Sequence, residues 1–295
     1  MAYDSVSIII PAKNEEQALQ NLLPKLIRKF PTHEIIIIND GSTDNTSLVC
    51  KNLGVKVIEH PYNLGNGGAI KSGARAASND VIVFMDGDGQ HDIADIEPML
   101  NIINAGYDMV VGARETSSHA GKRRLIGNTI YNFIASLVVG QKIEDLTSGF
   151  RAVKTKKFRE FLYLLPNGFS YPTTITMAFF RTGYTVAYHP IKTKKRMGNS
   201  HLKLLKDGPK FLIIIVKIAA LYSPLKVLTP VSVLFFTLGL INYAHTFYTH
   251  GTFTNMSALL MIVSVLLFIM GLIAEQMTII MYAINYKNQR RTDIK

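Results

Sequence analysis

VIVFMDGDGQHD, residues 81–92, decides how this chain folds. Val81 to Met85 form an apolar, partly β-branched run. Directly after it come the carboxylates Asp86, Asp88 and Asp92, with Gln90 and His91 among them. A short apolar run bounded by turn residues is a buried strand. Carboxylates this close repel one another unless a cation or a hydrogen-bonding ligand shares their site. The stretch is therefore a strand that delivers a binding loop.

Comparable runs flank it: VSIII (6–10), EIIII (34–38), VKVIE (55–59), DMVVG (108–112) and the strand-like TVAYHPI (185–191), with helical patterns between. After Pro11, Asn14 is a candidate N-cap, and Glu15 and Glu16 suit the positive end of a helix. That helix carries Leu19, Leu22, Leu23, Leu26, Ile27 and Phe30 at helical spacing, and Pro24 is expected to kink or interrupt it. Strands so uniformly apolar are covered on both faces, which predicts an α/β fold with a Rossmann-like, mostly parallel sheet. In such sheets ligands bind beyond the carboxyl ends of the strands. Polar residues gather there: Pro11 to Glu15, Asn39 to Asp44, and the 86–92 cluster. One crevice is expected to collect all three.

Two motif matches fail on their context. From Asp86 the oxygen-bearing positions approach an EF-hand calcium loop, but His91 stands where the loop needs glycine, and a strand precedes it instead of a helix. Gly65, Gly67 and Gly68 in NLGNGGAIKSG partly mimic a dinucleotide fingerprint, yet Ile70 occupies its third position. A glycine-rich helix start near a nucleotide and a plain tight turn both remain open for this segment.

The net charge of +11 is concentrated between Lys192 and Lys217 and again in KNQRR (287–291). Between these basic flanks, Val227 to Ala274 contains no Asp, Glu, Lys or Arg. Leu225 to Tyr243 and Met256 to Ala274 are each about long enough to span a bilayer. Basic flanks at both outer ends predict a hairpin that starts and finishes in the cytoplasm. A membrane, and not nucleic acid, is the partner this charge pattern fits. The expected organisation is a cytoplasmic catalytic domain over residues 1–200, an interfacial amphipathic helix over 201–223, and a transmembrane hairpin with a basic tail over 224–295. Glu275 and Lys226 lie at similar depth and are expected to meet, against the alternative that each snorkels to the interface. MAYDS leads into the first strand without a secretory leader, and the single cysteine, Cys50, fits a packing role in a reducing compartment.

Taken in order, IIIPAKNEE, IINDGSTDNT, NLGNGGAIKSG, FMDGDGQHD and DLTSGFR (145–151) resemble the family 2 glycosyltransferases of the GT-A fold. Within that family the chain is similar to the polyprenyl-phosphate sugar transferases, the group of dolichol-phosphate mannose synthase and bactoprenol glucosyltransferase. The processive synthases carry a QxxRW motif, whereas this chain has no tryptophan.

The resemblance implies an inverting, metal-dependent transfer of one sugar from a UDP- or GDP-sugar to dolichyl or undecaprenyl phosphate. A lipid or glycan hydroxyl acceptor, or a membrane scaffold with a degenerate site, are the alternatives. Pro11, Asn14, Glu15, Asp40, Gly67, Lys71 and Asp86 would line the donor pocket. Asp86, Asp88 and Gln90 would hold Mg²⁺ or Mn²⁺, because such ions favour a few carboxylates completed by substrate phosphates. Arg114, Arg124, Asn128 and Arg151 would bind the acceptor phosphate, and Asp145 would orient it. Asp88, Asp145, Arg114 and Arg124 are the expected catalytic set. In KKRMGNSHLK, Lys195 or Arg196 would contact the diphosphate, and His201 replaces the lysine usual in relatives. Homo-oligomerisation and the identity of the sugar are left open.

Overall fold

The computed structural model describes residues 5–114, 122–168, 171–193, 216, 219–220 and 223–292, the side chains of 122–128 and 281–292 excepted. Lys195, Arg196, His201 and most of the expected interfacial helix therefore lie outside the described residues, as do the side chains of Arg124 and Asn128. The chain divides into two compact units, residues 1–214 and 215–295.

In the first unit the elements run β1 (Ser7–Ala12), α1 (Glu16–Lys29), β2 (Glu34–Asn39), α2 (Thr46–Asn52), β3 (Lys56–Glu59), α3 (Asn66–Ala76) and β4 (Val81–Phe84). A 3₁₀ turn (Ile93–Asp95) then leads into α4 (Ile96–Asn104), β5 (Met109–Arg114), α5 (Lys122–Val139), β6 (Arg151–Lys154), α6 (Thr155–Arg159), α7 (Tyr171–Arg181) and β7 (Val186–Ile191). The sheet order is β3-β2-β1-β4-β6-β5-β7. All pairings are parallel except those of β6, which runs antiparallel to both β4 and β5. The predicted strands are all present. β6 was not anticipated, since RAVK is short and charged at both ends and offers no periodicity to read.

The isoleucines of β1 and β2 and the residues of β4 are fully buried, as expected for central strands with both faces covered. Helix α1 presents Ala18, Leu19, Leu22, Leu23 and Leu26 to this core and continues through Pro24. The carbonyl deprived of its partner by Pro24 is that of Gln20, an exposed residue that water can satisfy. Cys50 is buried, and burial pushes its thiol up to about 11, with Glu59 and Asp44 adding to the shift. It packs and does not react.

The amino ends of the strands carry buried charges that hold the fold. Asp108, preceding β5, accepts from Lys154 and Lys157 at 2.8 Å each and from the Thr185 amide at 3.1 Å. Burial alone would raise its pKa, but these donors outweigh it and bring the carboxyl down to about 2.

The second unit is a pair of helices, Pro224–His250 and Asn255–Thr292. The first helix and the 255–280 portion of the second are long and apolar enough to cross a membrane. Most of their apolar side chains are exposed, unlike those of a core helix in a soluble protein. Between them lies a turn in which Gly251 adopts φ +67° and its amide closes on the Phe247 carbonyl at 2.9 Å. Lipid provides little drive for helices to associate, so packing and polar contacts do so. Ser232 donates to the Ser264 carbonyl at 2.9 Å, Asn242 donates to Ser257 Oγ at 2.9 Å, and Gly239 and Gly271 let the helices approach closely. Glu275 accepts from the Leu225 amide at 3.3 Å, beside Lys226, and so caps the first turn of the opposite helix.

Two outcomes are expected from stability measurements on the full chain in detergent. Asp108→Asn should lower stability by about 2 kcal/mol near neutral pH. The folded-state pKa of Asp108 is depressed, so its contribution is present above the ordinary value of 3.8 and is lost as pH falls toward about 2; the gap between wild type and variant should close over that window. Glu275→Leu should cost about 1 kcal/mol through the lost cap, while Glu275→Gln, which retains an acceptor, should cost clearly less. Equal losses for the two would remove the capping role.

Candidate functional site

The loops after β1 and β2 are joined by side chains that cap across the gap. Asn14 adopts φ +55° and is not the N-cap of α1; that position belongs to Glu15. Instead Asn14 Oδ1 accepts from the Thr43 amide at 2.8 Å, and its own amide donates to Ser42 Oγ at 3.0 Å. The amides of Glu15 and Glu16 donate to Thr46 Oγ1 at 3.0 Å and Asp44 Oδ2 at 3.3 Å. The start of α1 is thus capped by the following loop, which fixes one wall of the crevice.

Asp40 is buried and organises the segment after β3. Its Oδ1 accepts from His60 Nδ1 and the Leu64 amide, and its Oδ2 from the Gly65 amide, all at 2.8 Å. The opposite ring nitrogen of His60 lies 2.8 Å from Ser72 Oγ. Asn39 donates to Glu59 at 2.6 Å and accepts from the Ser42 amide at 3.1 Å. An aspartate there would face Glu59 with like charge.

The glycines of NLGNGG meet another loop. The amides of Gly67 and Gly68 donate to the carbonyls of Gly168 at 3.1 Å and Asn167 at 2.9 Å. A methyl at position 67 would fall 1.9 Å from the Pro166 carbonyl oxygen. Lys71 joins the same loop through the Leu165 carbonyl at 3.2 Å and the Asn167 side chain. The backbone that approaches these glycines closely is that of the 165–168 loop.

The 86–92 cluster sits at the end of β4, against β1: a methyl at Gly87 would lie 3.2 Å from the Pro11 carbonyl oxygen. Asp88 is buried and accepts from the Gln90 amide at 3.1 Å. Asp92 caps the following 3₁₀ turn through the Ala94 amide at 3.0 Å. Asp86 is partly exposed, with His91 Nε2 at 3.3 Å, and the His91 ring stacks on Phe150 at 4.8 Å. The donor set of Asp86 and Asp88, hard carboxylate oxygens at the carboxyl end of β4, has the chemistry of Mg²⁺ or Mn²⁺. Among the described residues no three His, Cys, Asp or Glu gather into a closed metal cage. An ion here would complete its shell from substrate.

On the far side, Asp145 is buried and held by Arg114. Nε of Arg114 donates to Oδ2 at 2.8 Å, Nη2 donates to Oδ1 at 2.9 Å, and the Arg114 amide adds a bond at 3.2 Å. Burial pushes the Asp145 carboxyl up, but the guanidinium outweighs it and holds the group below the usual carboxylate range. Nη2 of Arg114 also reaches Thr147 Oγ1 at 2.6 Å.

Arg151 departs from its expected place. Its side chain has no exposure; it donates to the carbonyls of Ser148 and Pro172 and to Thr176 Oγ1, and lies over the Tyr171 ring. It faces the core because it opens β6, opposite Phe84. Gly149, Thr147 and Tyr171 are site neighbours that the sequence does not single out. The antiparallel register of β6, invisible in the pattern, sets Gly149 against Asp86.

The family model for Glycosyl transferase family 2 matches residues 7–162, and that for the GtrB C-terminal hairpin matches residues 223–280. The dolichyl-phosphate hexose transferase of Haloferax volcanii is 29% identical over 218 residues, covering 73% of this chain and 94% of that protein. The UDP-N-acetylglucosamine–dolichyl-phosphate N-acetylglucosaminyltransferase of Methanococcus voltae is 34% identical over 177 residues, covering 52% and 70%. An uncharacterized protein of Methanocaldococcus jannaschii is 36% identical over 157 residues; the match covers 50% of this chain and 64% of that protein. In structure, glucosyl-3-phosphoglycerate synthase from Mycobacterium tuberculosis, solved with Mn²⁺, UDP and phosphoglyceric acid, superposes with a TM-score of 0.60 at 17% identity, over 74% of this chain and 78% of that one. At that identity the likeness speaks for the fold.

The glycine geometry gives a direct check by denaturation. Gly67→Ala should destabilise by about 2 kcal/mol or more through the clash with the Pro166 carbonyl, whereas Gly168→Ala, whose added methyl would meet nothing within 4 Å, should change little.

Proposed function

The chain belongs to glycosyl transferase family 2, and on that premise we propose that it moves one sugar from a nucleoside-diphosphate donor to a polyprenyl phosphate at the cytoplasmic membrane face. The observation that carries this reading is the union, in one chain, of a family 2 unit with a hairpin that matches GtrB and is long and apolar enough to span a bilayer. The names of the Haloferax and Methanococcus relatives, both dolichyl-phosphate transferases, support it.

Asp86 and Asp88 are the residues that would hold Mg²⁺ or Mn²⁺, with Gln90 beside them in the loop. The bound ion would supply Lewis-acid neutralisation of the departing diphosphate. Pro11, Asn14, Glu15 and Asp40 shape the donor side, with Asn14 and Asp40 acting through the loops they lock together. On the acceptor side, Arg114 commits Nε and Nη2 to Asp145, which among the described residues leaves Nη1 for a phosphate oxygen. Arg124 and Asn128, on α5, would complete that subsite.

The chemistry of Asp145 favours a phosphate over a hydroxyl acceptor. A hydroxyl needs a base whose pKa is raised toward neutrality, whereas Asp145 is held below the ordinary range by its ion pair. A polyprenyl phosphate is already anionic and needs orientation more than deprotonation. In this reading Asp145 holds the Arg114 fork in the plane that presents it to the phosphate.

The product, the ion dependence and the acceptor contact each offer a test of the proposal. The lipid product made from native membrane lipids and a labelled nucleotide sugar should release its sugar in mild acid, as a glycosyl phosphodiester does; an acid-stable product would point to a hydroxyl acceptor. Asp88→Asn should lose most transfer with the fold retained, and wild-type transfer should stop in EDTA and return with Mg²⁺ or Mn²⁺. Arg124→Gln should lower transfer by more than tenfold, from a lost contact worth about 2 kcal/mol, while nucleotide affinity measured by calorimetry stays near that of wild type. An equal loss in nucleotide binding would move Arg124 to the donor side.

A further inference from the structure

The antiparallel register that pairs Phe84 with Arg151 and Val83 with Ala152, continued by two residues, sets Asp86 opposite Gly149. The contact is close: a methyl at position 149 would stand 3.1 Å from Asp86 Oδ2 and 3.2 Å from Oδ1. The bare backbone of Gly149 is therefore a wall for the carboxylate, and His91 Nε2 lies 3.3 Å from Oδ2.

That wall is itself held from behind. Tyr171, on α7, donates its hydroxyl to the Gly149 carbonyl at 3.1 Å, and Nη2 of Arg151 donates to the Ser148 carbonyl. Nη1 of Arg151 is fixed to the Pro172 carbonyl at 3.3 Å and Thr176 Oγ1 at 3.2 Å, so the guanidinium ties the turn to α7. Its carbon lies 5.6 Å from the centre of the Tyr171 ring, which gives the buried cation a π face in place of a carboxylate. Tyr171 is in turn packed by Phe84, the last residue of β4, at 6.4 Å edge to face. A guanidinium without exposure is costly to bury and is retained where it fixes structure that apolar residues would leave free.

We propose that Arg151 and Tyr171 are positioning residues: through the backbone of Ser148 and Gly149 they hold the Asp86 carboxylate in the orientation that receives a divalent ion and the donor diphosphate. The inference rests on the reading of Asp86 and Asp88 as the ion-holding pair. It gives Arg151 a task distinct from acceptor-phosphate binding, and it ties the chemistry of the 86–88 loop to α7.

The test uses the full chain in detergent. Mn²⁺ binding is followed by electron paramagnetic resonance of the free ion, in the presence of UDP or GDP, whichever nucleotide the wild type binds. Tyr171→Phe keeps the ring and removes only the hydroxyl; Gly149→Ala leaves the clamp and pushes on Asp86 directly. Both should keep the wild-type unfolding midpoint to within a few degrees. Tyr171→Phe should weaken Mn²⁺ binding by about fivefold, in line with one lost hydrogen bond, and Gly149→Ala by tenfold or more. The KM for polyprenyl phosphate should stay unchanged in both. Arg151→Lys should restore more Mn²⁺ affinity than Arg151→Met, since an ammonium still reaches a carbonyl. Wild-type Mn²⁺ affinity in both Tyr171→Phe and Gly149→Ala would overturn the clamp while leaving the ion site standing. A wild type that takes up no Mn²⁺ with either nucleotide would overturn the site reading and the clamp with it. A rise confined to the KM for polyprenyl phosphate would overturn the clamp in favour of an acceptor role.

Discussion

The insertion of β6, antiparallel, between β4 and β5 is the constraint on which the crevice depends. A parallel strand in that place would bring its carboxyl end to the side where the neighbouring strands deliver theirs. An antiparallel one brings its amino end, and with it the turn that precedes it. The segment 145–149 is thereby set against the ends of β4 and β5 at once, with Gly149 against Asp86 and Asp145 against Arg114. Two carboxylates that no sequence spacing relates thus become neighbours of one opening. Arg151 is buried because it stands opposite Phe84, on the face where it meets α7.

The second organising principle is that each loop at this end is satisfied by a different loop. The start of α1 is capped from the segment after β2, the segment after β3 is pinned by Asp40, and the start of α3 is taken by the carbonyls of 167 and 168. The amides at a helix start are an obvious seat for a phosphate. Here the Glu16 amide of α1 donates to Asp44, and the Gly67 and Gly68 amides of α3 donate to the 165–168 loop. Preorganisation of this kind matters for transfer chemistry, since groups fixed before substrate arrives need little reorganisation as charge develops.

The order of strands and helices was legible because each central strand is uniformly apolar and each helix carries a single apolar stripe, as in VIVFM and in the leucines of α1. Asp92 was legible as a cap because capping is local. The roles of Asn14 and Gly67 were not, because their partners lie in other loops: Thr43 for the first and the Pro166 carbonyl for the second. Asn14 looked like a helix cap by position, but its left-handed backbone points its side chain across the gap instead. Arg151 was placed with the acceptor because arginine in a polar motif suggests an anion. Its full burial and its bonds to Pro172 and Thr176 show that it turns inward. Local chemistry is thus written in the chain, while non-local pairing must be seen.

The turn between the two long helices is short, and the chain around it, from Val227 to Ala274, carries no Asp, Glu, Lys or Arg. For a hairpin entering a bilayer, this means that no charged group has to be dragged through the hydrocarbon to reach the far side. The polar atoms that do enter, such as those of Ser232, Asn242, Ser257 and Ser264, pair within the hairpin itself. The two helices thus bring their own polar partners with them, so that lipid would meet few hydrogen-bonding groups left unmet between them.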